Sequence, residues 1–166
     1  MLTASIVLYN TPRAQIDAVM KSVFDSNCVE KLYVIDNSPS ECYRILEREH
    51  SSVRYIHNAN LGYGASHNLA MQEAIEEGSN YHIVLNPDIY FGAEVLPELS
   101  RFMDAYPDAA YVLPRVTYPN GELQYLCKLL PTPFDLIFRR FLPKTRWTEK
   151  LNSRYELRSS GYDRIM

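Results

Sequence analysis

Short apolar runs alternate with amphipathic segments of helical length along most of the chain. The runs resemble buried strands and lie at residues 3–9, 31–35, 53–57, 81–85 and 109–113. The segments between them have helical spacing and lie at residues 12–24, 40–49, 65–77 and 93–105. Parallel strands need a crossover connection, and a helix is the usual one. The alternation therefore predicts an α/β domain with a mostly parallel central sheet flanked by helices.

Polar or glycine-containing turns follow four of these predicted strands. They are Tyr9-Asn10, Asp36-Asn37, residues 58–64 and Asn86-Pro87-Asp88. Right-handed crossovers bring the carboxyl ends of parallel strands to one edge of the sheet, and such sheets bind ligands there. The sequence therefore predicts a binding site at that edge.

Two of these turns have a structural and a functional interpretation. Asp36 could accept hydrogen bonds from a ribose hydroxyl or a base imide, or it could form an Asx-turn, and position favours neither. The loop before the third long helix could place glycines and helix amides beside a phosphate. Alternatively, its glycines only turn the chain and Ser66 caps the helix. Its spacing matches neither the dinucleotide fingerprint nor the P-loop.

Asp88 is the candidate metal ligand. A carboxylate at a strand end, preceded by a rigid proline, suits Mg²⁺ or Mn²⁺, because these ions complete their coordination with water and substrate phosphates. The alternative is a turn residue or a cap for the next helix. His67 is interpreted as a polar neighbour of the loop rather than a base. The other three histidines show no zinc-ligand spacing.

Charge and cysteine content exclude several classes of protein. Residues 1–125 carry 16 Asp and Glu against 8 Lys and Arg, so a general nucleic-acid binder with a basic face is not expected. Three widely spaced cysteines indicate neither a disulfide framework nor a zinc site. No apolar run is long enough to span a bilayer, and no signal peptide precedes the first strand. We therefore expect a cytoplasmic protein.

The pattern changes in the carboxy-terminal part. An Asn-Gly pair within residues 116–124 predicts a β-hairpin. Residues 126–166, called the basic tail below, carry 9 Lys and Arg against 4 Asp and Glu and are expected to be irregular. We place the domain boundary at residue 125. The chain ends without a stop signal, so we expect it to be truncated within an acceptor-side region.

The basic tail has two interpretations. Its cations could meet anionic lipid on the inner face of a membrane while its aromatic residues anchor it. The favoured alternative is a segment that packs on a missing carboxy-terminal part and supports a homodimer when exposed. The residues concerned are Lys128, Arg139, Arg140, Lys144 and Arg146, with Phe134, Phe138, Phe141 and Trp147.

Four motifs occur in one order within 90 residues. They are Ser5-Ile6-Val7-Leu8-Tyr9-Asn10, Val34-Ile35-Asp36-Asn37-Ser38, Asn60-Leu61-Gly62-Tyr63-Gly64 with His67-Asn68, and Leu85-Asn86-Pro87-Asp88. Together they resemble the amino-terminal part of family 2 inverting glycosyltransferases, in particular the rhamnosyltransferase-like branch. The resemblance implies a GT-A-like, nucleotide-binding α/β sandwich.

The resemblance also implies a role for each candidate residue. Tyr9 and Asp36, with the neighbouring Asn10 and Asn37, would line the nucleoside site. The pocket beside nucleotide and diphosphate would be shaped by Asn60, Gly62 and Asn68. Asp88 would occupy the last position of the family's Asp-x-Asp motif and meet the metal. Asn86 replaces the first acid of that motif; an amide can ligate a metal through oxygen but adds no charge.

The activity implied by the resemblance is inverting transfer of a sugar, with rhamnose favoured by the branch. The donor would be a nucleoside-diphosphate sugar and the acceptor a glycan or a lipid-linked saccharide. The family's base lies in a downstream acidic motif, so we expect it beyond Met166 and expect little turnover from this chain. The alternatives are a non-catalytic sugar-nucleotide-binding module and another doubly wound protein. A nucleotidyltransferase would show a loop rich in glycine and arginine after its first strand, unlike residues 9–13.

Overall fold

The computed structural model describes residues 1–132 and 145–160. The chain divides into two compact units, Met1–Val112 and Leu113–Met166. This division lies before the boundary expected at residue 125, so the hairpin segment belongs to the second unit. The first unit contains the sheet and every candidate site residue.

The sheet of the first unit has four strands, and all neighbours are parallel. They are β1 (Leu2–Leu8), β2 (Lys31–Asp36), β3 (Val53–His57) and β4 (Tyr81–Leu85). Their order across the sheet is β3-β2-β1-β4. The chain therefore runs outward from β1 to β3 and then returns to the other side of β1. The crevice between β1 and β4 is the topological switch point, where open α/β sheets bind ligands.

Helices connect these strands and follow the last one. They are α1 (Arg13–Asp25), α2 (Leu46–Glu49), α3 (Tyr63–Glu76) and α4 (Val95–Ala105). The second unit contains α5 (Arg146–Tyr155) and a 3₁₀ turn at Arg158–Ser160. Helix α1 begins directly after Pro12, which is its N-cap, with φ −60° and ψ 137°.

The core has one layer on each face of the sheet. All seven residues of β1 are buried. On one face, Ile6 and Leu8 belong to the same buried cluster as Ile16 of α1. On the other face, Val7 packs in a cluster with Ala70 and others, so α3 covers that side. A parallel sheet buried between helices confirms the predicted GT-A-like α/β sandwich.

Two predicted elements are wrong. The run at residues 109–113 forms no strand, and Tyr111 in it is 84% exposed. In the described part of the chain no neighbour pairs with this run, and a strand requires a partner. The predicted helix at 40–49 is helical only in α2. There Tyr43 donates a hydrogen bond to the Thr11 carbonyl at 2.6 Å and Leu46 is fully buried, so tertiary contacts override the helical periodicity.

The predicted hairpin forms in a reduced version. Thr117 and Leu123 make a single antiparallel bridge, and the Tyr118 amide donates to the Glu122 carbonyl at 2.8 Å. Gly121 has φ +85°, a conformation that glycine adopts without strain. The Asn-Gly signal was therefore correct for the turn, although long paired strands do not follow from it.

The basic tail is less irregular than expected. Thr145 and Thr148 form a reciprocal capping box at the start of α5, which stabilises a ten-residue helix. Of the side chains proposed to contact a membrane or a partner, only Lys128 belongs to the described residues. The others, Phe134, Phe138, Arg139, Arg140, Phe141, Lys144 and the side chains of Arg146 and Trp147, lie outside them. Over residues 1–132 and 145–160, no helix is both long and apolar enough to cross a membrane.

Candidate functional site

The strand register brings the four predicted turns to one edge. Leu8 at the end of β1 pairs with Asp36 at the end of β2, and Asp36 pairs with His57 at the end of β3. On the other side of β1, Ile6 pairs with Leu85, the last residue of β4. The turns after residues 8, 36, 57 and 85 therefore leave the same carboxyl edge of the sheet.

The turn after β1 exposes Tyr9 and fixes Asn10. Asn10 has φ +50°, a left-handed conformation that asparagine tolerates better than most residues. Its backbone amide donates to Ser38 Oγ at 2.9 Å, which joins this turn to the turn after β2. Tyr9 is 55% exposed, so its ring is accessible to a ligand.

Asp36 is fully buried and both of its carboxylate oxygens are engaged. Oδ1 accepts from the Ser38 amide at 2.9 Å, which is the Asx-turn left open by the sequence. Oδ2 accepts from the Tyr55 hydroxyl at 2.6 Å. Burial, together with this neighbouring carboxylate, raises the pKa of Tyr55, so the phenol remains a donor. Asp36 thus holds its turn in place, and direct contact with a nucleoside stays a prediction.

Asn37 joins the end of β2 to the start of α3. Its side chain is 4% exposed, and Nδ2 donates to Ser66 Oγ at 2.7 Å. Ser66 Oγ also lies 3.0 Å from the Gly62 carbonyl in the preceding turn. Ser66 is therefore not the helix cap that the sequence suggested, because α3 begins at Tyr63 with Gly62 as its N-cap.

The loop before α3 is shaped by one glycine and one asparagine. Gly62 has φ +95°, and its amide donates to Asn60 Oδ1 at 3.2 Å. No side chain caps α3 within the described residues. The amides of its first turn can therefore meet an anion. Asn68 is exposed on α3, and no hydrogen bond among the described residues joins it to the other turns.

A buried polar ladder lies beneath this edge, between β1, β4 and α3. Ser5 Oγ is 2.8 Å from His67 Nδ1 and 2.8 Å from His82 Nε2, and Thr3 Oγ1 is 2.8 Å from His82 Nδ1. Burial lowers the pKa of His67 to about 4, and the nearby His82 adds to the shift. Burial also lowers the pKa of His82 to about 4. Both rings are neutral at pH 7, which agrees with His67 as a polar neighbour rather than a base.

The ladder continues to Ser79, whose hydroxyl donates to the Tyr81 carbonyl at 2.8 Å and lies 3.0 Å from Thr3 Oγ1. At the other end, His67 Nε2 is buried and has no partner in the described residues. Sequence reasoning missed the ladder, although hydroxyls at alternate positions of an apolar strand were its signal.

The turn after β4 holds Asn86 and Asp88. Tyr63, the first residue of α3, donates its hydroxyl proton to Asn86 Oδ1 at 2.6 Å. Partial burial raises the pKa of Tyr63, and the Asp88 charge adds to this shift. Asp88 itself is exposed. Sequence reasoning did not identify Tyr63 as a site residue.

The donor set at this turn fits a metal only in company with a ligand. No group of three or more His, Cys, Asp or Glu residues is placed to hold a metal ion in the described ranges. Asp88 offers one exposed carboxylate, and Mg²⁺ or Mn²⁺ can be held by one carboxylate when phosphates and water supply the other ligands. The residues present therefore fit a cation that arrives with a diphosphate.

Comparison with known proteins gives one family and one fold. The family model described as "Glycosyl transferase family 2" matches residues 3–157. The crystal structure of S. aureus TarS 1-349 is similar with a TM-score of 0.54 and 18% identity, over 64% of this chain and 33% of that one. A crystal structure of S. aureus TarS gives a TM-score of 0.53 and 18% identity, over 63% and 19%. No curated protein sequence matches. The chain thus spans a third or less of these structures, and the likeness shows a shared fold.

Proposed function

Because the chain belongs to glycosyl transferase family 2, we propose that its sheet edge binds a nucleoside-diphosphate sugar for inverting transfer. The acceptor is a glycan or a lipid-linked saccharide. The observation that carries the proposal is that four turns leave one carboxyl edge of the sheet, which includes the switch point between β1 and β4. Such a crevice, with an uncapped helix and one exposed carboxylate, suits a ligand with an aromatic base and a diphosphate.

Each turn has a part in this proposal. The exposed ring of Tyr9 stacks on or borders the nucleoside, with Asn10 beside it. Asp36 and Asn37 support that side of the pocket from beneath, through their bonds to Tyr55 and Ser66. Asn60, Gly62 and the first turn of α3 lie beside the diphosphate, and Asn68 lies farther along the helix. Asp88 binds Mg²⁺ or Mn²⁺.

The chemistry proposed is displacement at the anomeric carbon by an acceptor hydroxyl. When bound, the metal offsets the negative charge of the departing diphosphate. The site turns orient the donor and hold its diphosphate. A base must remove the proton of the acceptor hydroxyl, and neutral, buried His67 is unsuited to that task. The site turns supply no such base, and we expect a residue outside them to act as the base.

Finer assignments rest on the four motifs. Rhamnose as the transferred sugar follows from the resemblance to the rhamnosyltransferase-like branch. Contact of the basic tail with the inner face of a membrane, or its use in a homodimer, remains a proposal for residues 126–166. A module that binds sugar nucleotides without transferring them is the second candidate. It is favoured by the single exposed carboxylate and by the neutral amide of Asn86 where the family has an acid.

Calorimetric titration of the full chain with thymidine- and uridine-diphosphate sugars tests the proposal. We expect binding that tightens when Mn²⁺ replaces EDTA, because Asp88 would hold the cation and the cation would attract the diphosphate. Asp88→Ala should remove this Mn²⁺-dependent gain. Asp108→Ala is the matched control, because Asp108 is also an exposed aspartate. It follows α4, whose end contacts the start of β4 and not the end of β4 where Asp88 lies. Equal gains in both variants would contradict the metal assignment.

Release of nucleoside diphosphate separates the two candidate functions. An enzyme releases it faster when an acceptor saccharide is added. A binding module shows the same affinities in the titration and no acceptor-dependent release.

A further inference from the structure

Asn86 and Tyr63 form a contact between the turn after β4 and the start of α3. The Tyr63 hydroxyl lies 2.6 Å from Asn86 Oδ1. The Tyr63 ring packs edge-on against His67, with ring centroids 4.4 Å apart and an interplanar angle of 73°. His67 is itself held by Ser5 at 2.8 Å. The contact with buried His67 therefore helps to hold the Tyr63 ring beside Asn86.

The contact assigns the two ends of the Asn86 amide. A phenol donates strongly, and partial burial with the charge of Asp88 raises the pKa of Tyr63, so it keeps its proton. The carbonyl oxygen of Asn86 accepts that proton. The amide nitrogen carries two further protons, and no group in the described residues accepts them. Asn86 thus has a committed oxygen and an uncommitted donor.

This division has a chemical consequence at the sugar-nucleotide site. An aspartate here could accept from Tyr63 with one oxygen and offer the other to a cation. An asparagine bonded in the same way keeps one lone pair on its oxygen but carries no charge, so it attracts a cation weakly, whereas its N–H groups attract a phosphate oxygen. A hydrogen bond to a charged partner is also stronger than one between neutral groups.

We propose that Tyr63 positions the Asn86 amide so that its nitrogen donates to the diphosphate of the donor, leaving Asp88 as the single protein ligand of the metal. This inference rests on the proposed function. It predicts that Asn86 contributes to diphosphate binding whether or not a metal is present. Tyr63 acts through Asn86 and is a positioning residue.

Binding of thymidine and uridine diphosphates to the full chain, in EDTA and in Mn²⁺, tests the inference. In EDTA, Asn86→Ala should weaken binding about tenfold, the loss of one charge-assisted hydrogen bond. Asn86→Ala should keep the wild-type gain when Mn²⁺ replaces EDTA. Asn86→Asp should bind more weakly in EDTA, because a carboxylate repels the diphosphate, and should show a larger Mn²⁺ gain.

Tyr63→Phe shows whether the phenol acts through the amide. It should weaken binding in EDTA, and the double variant Tyr63→Phe/Asn86→Ala should bind no more weakly than Asn86→Ala. Tyr81→Phe is the matched control, because the Tyr81 hydroxyl makes a similar 2.7 Å bond to Asp104. Tyr81 is the first residue of β4, at the opposite end of the strand from Asn86. All of these side chains except Tyr81 are exposed, so the core is unaffected.

Four results would overturn the inference. A Mn²⁺ gain that falls in Asn86→Ala would make Asn86 a metal ligand. Wild-type binding by Tyr63→Phe, or fully additive losses in the double variant, would show that Tyr63 does not position Asn86. In these cases the wild-type chain still binds diphosphate and the proposed function stands. A wild-type chain that binds neither diphosphate under either condition rejects the inference and the proposed function together.

Discussion

Lowering the pH from 7 to 5 should destabilise the protein through the buried histidine ladder. His67 and His82 have pKa values lowered to about 4 by burial, against an ordinary value of 6.5. Between pH 6.5 and pH 4 the two histidines are protonated in the unfolded chain and neutral in the folded chain. The stability that the neutral rings provide is therefore complete above pH 6.5 and is lost as the pH falls toward 4.

The size of the effect follows from the two pKa values. For one histidine with these values, the free energy of unfolding should fall by about 2 kcal/mol between pH 7 and pH 5. Two such rings give about 4 kcal/mol, because repulsion between them keeps the second proton off the folded chain as well. Hydrogen bonds from Lys31 and Tyr33 lower the pKa of Glu77 from its ordinary value of 4.5, so the stability that Glu77 contributes is lost below this window.

Urea unfolding at 25 °C, followed by circular dichroism at pH 7, 6 and 5, measures this slope. His82→Gln removes the titrating ring between Thr3 and Ser5, and the loss between pH 7 and 5 should shrink to about half. His50→Gln controls for replacing an exposed imidazole. A free energy of unfolding that stays constant or rises as the pH falls from 7 to 5 would refute the ladder as described.

Two further predictions concern the support of the site. Gly62→Ala should lower the free energy of unfolding by about 1–3 kcal/mol, because Gly62 has φ +95°. Gly64→Ala, inside α3, should be neutral or stabilising. Chemical denaturation of both variants checks this, and equal effects would contradict it. Tyr55→Phe should lower the free energy of unfolding by about 1–3 kcal/mol, because buried Asp36 loses its donor. Tyr111→Phe, at an 84% exposed position, should change it little. Thermal unfolding compares the two variants, and a neutral Tyr55→Phe would show that Asp36 does not need this bond.

The sheet could be predicted from the sequence because its strands are short apolar runs separated by helices. All four strands lie where the pattern placed them, and the parallel register follows from the crossovers. The run at 109–113 has the same local pattern and fails, because strand formation depends on a partner that local sequence does not specify. The segment at 40–49 fails for a related reason, since buried Leu46 and the bond from Tyr43 decide its path.

The candidate site could be located from the sequence, but its contacts could not be. The turns after the strands were found because polar residues there interrupt apolar runs. Tyr55 and Tyr63 were not found, because their partners Asp36 and Asn86 are 19 and 23 residues away in the chain. Asp36 illustrates the limit most clearly. Its position suggested ligand binding and an Asx-turn equally, and only the fold shows the turn and the buried bond to Tyr55.

Paramagnetic broadening by Mn²⁺ tests the central claim most directly, namely that distant turns form one diphosphate site. The full chain, labelled with ¹⁵N, is titrated with thymidine or uridine diphosphate and a trace of Mn²⁺. Amide signals of residues 86, 88, 89 and 62–66 should broaden first and those of residues 9–10 next, while the signal of Asp108 is retained. Asp88→Ala should abolish the pattern. Broadening centred away from Asp88, or unchanged in Asp88→Ala, would contradict the account.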